Sequence, residues 1–201
     1  MLNSGRMYQL FTLLIAGFIL ASCSAAPMRE ADRFYGLNIN IEAVSFGSDE
    51  TVLVKPVQIR GVQSGRPLVI AESQSPLKLI ESRGHFWHTA PNYLIRDALA
   101  SGMDKAATDM RFRTDDLLNA ASYSLHLSVK ELNYQITGTA VVSVQAALKS
   151  RNGSILFTGE YRQETEMTAQ DDPAAAVLAL EKGLTIIAGQ LARDIAATLA
   201  N

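Results

Sequence analysis

The sequence predicts an α+β fold: a two-layer sandwich in which a mainly antiparallel sheet carries two helices packed on one face. Three observations lead there. Patterned segments run in the order strands, helix, three strands, helix, which suits a sheet with its helices gathered on one side. Each helical segment has one apolar stripe to bury, and the last three strands alternate apolar with polar residues, as in a sheet that is wet on one face. The chain has 201 residues, 48% hydrophobic and 19% charged, enough for one core without disulfide staples.

At the N-terminus, residues 1–9 (MLNSGRMYQ) hold one arginine and no acid, and residues 10–20 (LFTLLIAGFIL) are almost wholly apolar. That run is shorter than the roughly 20 residues a bilayer span needs, and it has the length of a signal-peptide core. Residues 1–22 are expected to be a signal peptide. Residues 23–33 (CSAAPMREADR) are small, polar and charged without periodicity, and are expected to form a tether. The folded domain is expected to occupy 34–201.

In NINIEAVSF, 38–46, Ile39, Ile41 and Ala43 alternate with polar neighbours and predict a strand. TVLVKPVQIRGV, 51–62, is rich in β-formers, but Pro56 cannot donate to a ladder, which predicts an edge or a bulge. PLVIAES and LKLIES, split by Gln74-Ser75-Pro76, predict a hairpin with a proline turn. A helix follows: Thr89 is the expected N-cap, Pro91 fits the first turn, and Leu94, Ile95, Ala98, Leu99 and Met103 form its stripe.

The three later strands are the clearest. Tyr123, Leu125, Leu127 and Val129 share a face. The apolar phase then slips to Leu132, Tyr134 and Ile136, which predicts a β-bulge near Lys130–Glu131. Ala140, Val142, Val144, Ala146 and Leu148 share a face, and Asn152-Gly153 predicts a type I′ turn. The return strand is expected to place Ile155, Phe157 and Tyr161 on one side and Leu156, Thr158, Glu160 and Arg162 on the other. Asp172 and Pro173 start the last helix, whose stripe runs Val177, Leu180, Leu184, Ile187, Leu191, Ile195, Leu199. Gly183 and Gly189 flank it and permit close packing.

A formal net charge of −2 lacks the basic footprint that nucleic acid requires. His85 and His88 are spaced to begin a zinc site, but no cysteine or acid stands at ligand spacing, so no metal is expected. Glu160, Glu164, Glu166, Asp171 and Asp172 are read as a solvated strand face and a helix cap. The chain has no G-x-S-x-G, P-loop or H-E-x-x-H motif. No catalytic residue or cofactor is expected. Phe86, Trp87 and Tyr93 are candidate partner contacts, because aromatic residues supply interface anchors.

The single cysteine lies directly behind the apolar run. Leu20-Ala21-Ser22-Cys23 resembles the bacterial lipobox, and the resemblance implies cleavage before Cys23, thioether lipidation and acylation of the new N-terminus. Ser24, where aspartate would imply retention at the inner membrane, implies the periplasmic face of the outer membrane. Four further stretches, RFYGLNI, VKPVQIRGVQSGRPLVIAE, ESRGHFWHTAPNYLIRDAL and ASYSLHLSVKEL, followed by LEKGLTIIAGQLARDIAATL, resemble in order and spacing the ABC-type transport auxiliary lipoproteins, the PqiC-like family. That resemblance covers nearly all of the mature chain. It implies a non-enzymatic docking subunit that receives the MCE-domain protein of an inner-membrane permease and ATPase system for lipid transport, with a homo-oligomeric ring as one form of the assembly. The alternative is a stand-alone periplasmic lipid or lipoprotein carrier.

Overall fold

The structure, a computed structural model, describes residues 31–74, 77–115 and 121–200. The expected signal peptide, Cys23, most of the tether and the Ser75-Pro76 turn lie outside the described residues. Asp32–Asn201 forms one unit. Its elements are β1 (Arg33–Tyr35), β2 (Thr51–Val54), β3 (Gln58–Ile59), a 3-10 turn (Gly61–Ser64), β4 (Pro67–Gln74), β5 (Leu77–Trp87), α1 (Pro91–Ala106), β6 (Arg111–Arg113), β7 (Tyr123–Gln135), β8 (Thr139–Ser150), β9 (Ile155–Glu166) and α2 (Pro173–Leu199). This is an α+β fold built on one mixed sheet.

β7 is the axis of the sheet. One of its edges pairs antiparallel with β8 from end to end, and β8 pairs antiparallel with β9. Its other edge is shared, always parallel, by β2, then β3, then β4. β5 pairs antiparallel with β4, and β1 and β6 add short parallel pairs to β5 and β2. The long ladders are thus antiparallel and the short ones parallel. Between β3 and β4 the edge of β7 is left open, and the buried Gln63 accepts there from the Leu132 N–H at 2.8 Å. A buried backbone donor needs such a partner.

The register explains the packing. On one face Leu125, Leu148 and Phe157 form a row, as do Val129, Val144 and Tyr161, and Tyr134, Ala140 and Thr165. The register shift between Val129 and Glu131 is the expected bulge, and it keeps Leu132 and Tyr134 inward. Ile136 falls beyond the strand and is exposed. A second shift, between Leu148 and Lys149, sets Ile155 opposite Lys149. It turns Ile155 outward, 62% exposed, against the expectation that it shares the side of Phe157 and Tyr161.

α2 begins as expected: the Asp172 carboxylate accepts from the Ala174 N–H at 2.9 Å, and Pro173 needs no donor there. Its stripe from Val177 to Ile195 is buried in the same core as the inner faces of β7, β8 and β9. Tyr161 of β9 donates to Asp194 of α2 at 2.6 Å, and burial raises the phenol's pKa. α1 buries the expected stripe, but Thr89 is not its cap. Ala90 is the N-cap, without a side-chain bond, and its carbonyl accepts from Tyr93 and Leu94. Pro91 already removes one orphan donor and presets φ, so the turn closes on backbone alone.

The segment 38–46 forms no strand apart from one parallel bridge, Val44 to Ala107. It runs instead across both helices: Ile39 lies over Gly102 of α1, Ile41 lies near Gly189 of α2, and the Asn38 N–H donates to Glu181 of α2 at 2.7 Å. Its backbone finds partners outside the sheet. Val44 N–H donates to Ala106 O, and the Asp109 carboxylate accepts from Ser45 Oγ, Phe46 N and Gly47 N, each at 2.7 Å. Phe46 is thereby held against Phe112, their rings 5.3 Å apart, while Ala43 is exposed.

Those bonds, led by the one from Phe46, hold the Asp109 carboxyl below the usual carboxylate range. The folded pKa is depressed, so the clasp is complete at neutral pH and is lost as pH falls through the folded value. Amide exchange read by NMR is expected to show Phe46 and Gly47 losing protection on acidification well before the core of β8. In Asp109→Ala the same two amides exchange fast at neutral pH. Unchanged protection in the variant would refute the clasp.

The β8–β9 loop differs from the type I′ expectation. Among the described residues only Asp171 and glycines have positive φ, so Asn152 does not supply the first left-handed residue. Gly153 (φ 87°) does so one step later, and its N–H closes on Ser150 O at 2.9 Å. This is the three-residue hairpin with a glycine bulge. Asn152 Oδ1 instead accepts from Ser154 N at 3.1 Å.

Candidate functional site

The structure separates the three aromatic candidates. Trp87 is 2% exposed and belongs to the core. Tyr93, in the first turn of α1, is 46% exposed, with the Arg96 guanidinium 5.1 Å from its ring centre. Phe86 is half-buried on β5 and faces away from Trp87, because alternate strand residues point to opposite faces. It stacks on Phe34 of β1 at 5.8 Å. Phe34 is 57% exposed, and the Arg66 guanidinium lies 5.4 Å from its ring centre.

Both histidines near Trp87 are occupied by Tyr35. His85 Nδ1 is 2.8 Å from the Tyr35 hydroxyl, with the rings stacked, and His88 Nδ1 is 3.1 Å from the Tyr35 carbonyl. They pin β1 to the end of β5 and do not converge on a ligand. Among the described residues no three histidine, cysteine or acidic side chains group to hold a metal. Of the acids singled out above, Glu160 bonds Gln145, Glu164 pairs with Arg162, which also reaches Glu131, and Asp172 caps α2.

The outer face of β7, β8 and β9 carries an open groove of about 680 Å³, lined in part by His126, Gln145, Lys149, Ile155 and Glu160. Burial, then the charges of Lys149 and Lys55, hold the His126 imidazole below its ordinary range, favouring its neutral form. Ser124 Oγ lies 3.1 Å from His126 Nε2. The groove is an open surface of mixed polar and apolar lining, not an enclosed chamber. Sequence reading missed both this groove and Phe34. The groove depends on a register shift, and the exposure of Phe34 depends on which strand β1 joins; neither leaves a local signal.

The folded unit matches the family described as the ABC-type transport auxiliary lipoprotein component over residues 35–196. No curated protein matches. Among solved structures, one of an uncharacterised protein superposes with a TM-score of 0.67 at 15% identity, covering 83% of this chain and 99% of its own. A Xanthomonas campestris protein of family DUF330 does so with a TM-score of 0.67 at 14% identity, covering 83% of this chain and 96% of its own. At this identity the likeness concerns the fold. The PelC dodecamer of Paraburkholderia phytofirmans, at a TM-score of 0.43 and 14% identity over 78% of this chain and 92% of its own, is too loosely similar to carry an argument.

Proposed function

Because this chain belongs to the family of ABC-type transport auxiliary lipoprotein components, we propose that it is the docking subunit of an MCE-type lipid transport system, anchored by lipid on Cys23 to the periplasmic face of the outer membrane and performing no catalysis itself. The family match across nearly the whole folded unit carries the reading. The lipobox-like Leu20-Ala21-Ser22-Cys23 ahead of it supports the anchor. Several acyl chains hold firmly where one holds weakly, and tethering raises the effective concentration of the domain for a partner arriving from the inner membrane.

Of the aromatic residues named from sequence, Tyr93 suits a protein partner. It is exposed on a rigid helix, Arg96 is beside it, and tyrosine and arginine are favoured interface anchors. Affinity capture with the full lipidated chain is expected to recover an MCE-domain protein. Tyr93→Ala is expected to weaken that capture about tenfold, a hot-spot effect, while leaving thermal stability unchanged. Recovery of no MCE-domain protein sinks the proposal.

The carrier reading needs a lined chamber for acyl chains. The open groove around His126 and Lys149 is not such a chamber, and the family match is what favours docking. Native mass spectrometry parts the two: lipid bound stoichiometrically to a monomer would favour the carrier, and lipid-free assemblies favour docking.

A further inference from the structure

We propose that the outer face of the β1–β5 edge, centred on Phe34 with Phe86 and Arg66, rests on the lipid surface of the membrane that holds the anchor. This rests on the reading of Cys23 as lipidated. Three observations support it. First, the chain leaves the expected anchor and enters the fold through β1. Ten residue steps separate Cys23 from Arg33, at most about 35 Å of fully extended chain. No other strand or helix is so close to the anchor along the chain.

Second, Phe34 is 57% exposed on a strand whose neighbours Arg33 and Tyr35 pair with His85 and Trp87. The pairing places Phe34, Phe86 and Pro67 in one row across β1, β5 and β4, facing away from the core side of Trp87. Phe34 is exposed and Phe86 and Pro67 are half-buried, so this row of two stacked rings and a proline leaves a partly exposed apolar surface at an edge. Third, Arg66 sits over the Phe34 ring while its Nε and Nη2 donate to Trp87 O and His88 O, both at 3.1 Å. Those two bonds fix the guanidinium in place, and its other N–H groups are available to a lipid phosphate. An aromatic ring beside a fixed cation is chemically suited to the boundary between headgroups and acyl chains. The contact need not be strong, because the tether already confines the domain near the bilayer.

The test uses the lipidated full chain in vesicles of phosphatidylethanolamine and phosphatidylglycerol. Cys23 is the only cysteine and its sulfur is consumed by the anchor, so Phe34→Cys carries the single reactive thiol for an environment-sensitive fluorophore. Leu178→Cys, 62% exposed on α2, is the reference position. The label at 34 is expected to shift to the blue and to lose emission to lipid-borne quencher, while the label at 178 loses emission to aqueous quencher alone. Phe34→Trp repeats the measurement with an aromatic ring retained, since Trp87 is buried. Equal aqueous quenching at both positions overturns the inference and leaves the anchor standing. A label at 34 shielded from both quenchers means that protein covers the patch, and this also overturns it. Recovery of the chain in the soluble fraction, with no acyl mass, refutes the anchor and this inference together.

Discussion

Alanine at Gly102 is expected to destabilise the protein, and alanine at Gly189 to stabilise it, although both glycines sit within helices. A helical glycine costs about 0.5–1 kcal/mol relative to alanine, so the helix alone favours both changes. The surroundings differ. A Cβ at Gly102 would lie 2.7 Å from the Ile39 carbonyl oxygen and 2.9 Å from Ile39 Cγ2. The nearer atom is backbone, and Ile39 is 2% exposed, so neither can swing away. At Gly189 the nearest atoms are the end of Arg193 at 3.7 Å and Ile41 Cγ2 at 3.9 Å, ordinary contact.

Overpacking of a close-packed site costs about 1–3 kcal/mol or more. Gly102→Ala should therefore lose about 1–2 kcal/mol net, and Gly102→Val about 3 kcal/mol. Melting temperature should fall by about 2–4 °C for each kcal/mol in a unit of this size. Gly189→Ala should raise it. Gly183, where a Cβ would meet Thr165 Oγ1 and Val142 Cγ2 at 3.4 Å, falls between them and is expected to be near neutral. Thermal melts of the three alanine variants give the ordering. Equal effects at 102 and 189 would mean that the 38–46 segment does not lie across the helices.

Cys23→Ser, placed behind a secretory leader that is cleaved without lipidation, is expected to move the protein completely from the membrane fraction to the soluble fraction. Each buried methylene contributes about 0.8 kcal/mol to membrane affinity, so losing several chains leaves no measurable retention, whereas losing one would leave a partial one. The fold should be unaffected, because the core is made by residues beyond the tether: the far-ultraviolet spectrum and melting temperature of the variant should match the wild type. Intact mass of the native protein should exceed that of the Cys23–Asn201 polypeptide by the mass of the attached lipid. A wild-type mass with a free thiol, or a serine variant held in membranes after its leader has been removed, would exclude this anchor.

How far the chain can be read without its structure varies by element. β7, β8 and α2 were legible to the level of single side chains, including the bulge beside Lys130 and the Asp172-Pro173 start. Each rests on a local period or a local steric rule. The segment 38–46 has the same alternation as a strand but joins no ladder, because the tail of α1, Asp109 and Glu181 satisfy its backbone first. Pro56 could be placed at a break but not located in the sheet: it falls between β2 and β3, while β2 itself is interior, between β6 and β7. The candidate site was legible only in part. Phe86 and Tyr93 reach the surface, but Trp87, beside them in sequence, does not, since strand alternation puts neighbours on opposite faces and only pairing decides which face is covered.

Sequence by itself determined the α+β class, the two helical stripes and the long antiparallel ladders, because side-chain period and proline sterics act within a few residues of one another. Tertiary structure alone decided that three short strands share one edge of β7, that the 38–46 segment covers the helices, and that Phe34 faces outward at the edge of the sheet. Those outcomes depend on which distant backbone donors and apolar faces remain unpartnered once the long ladders have formed, a competition among contacts far apart in the chain that no local pattern records.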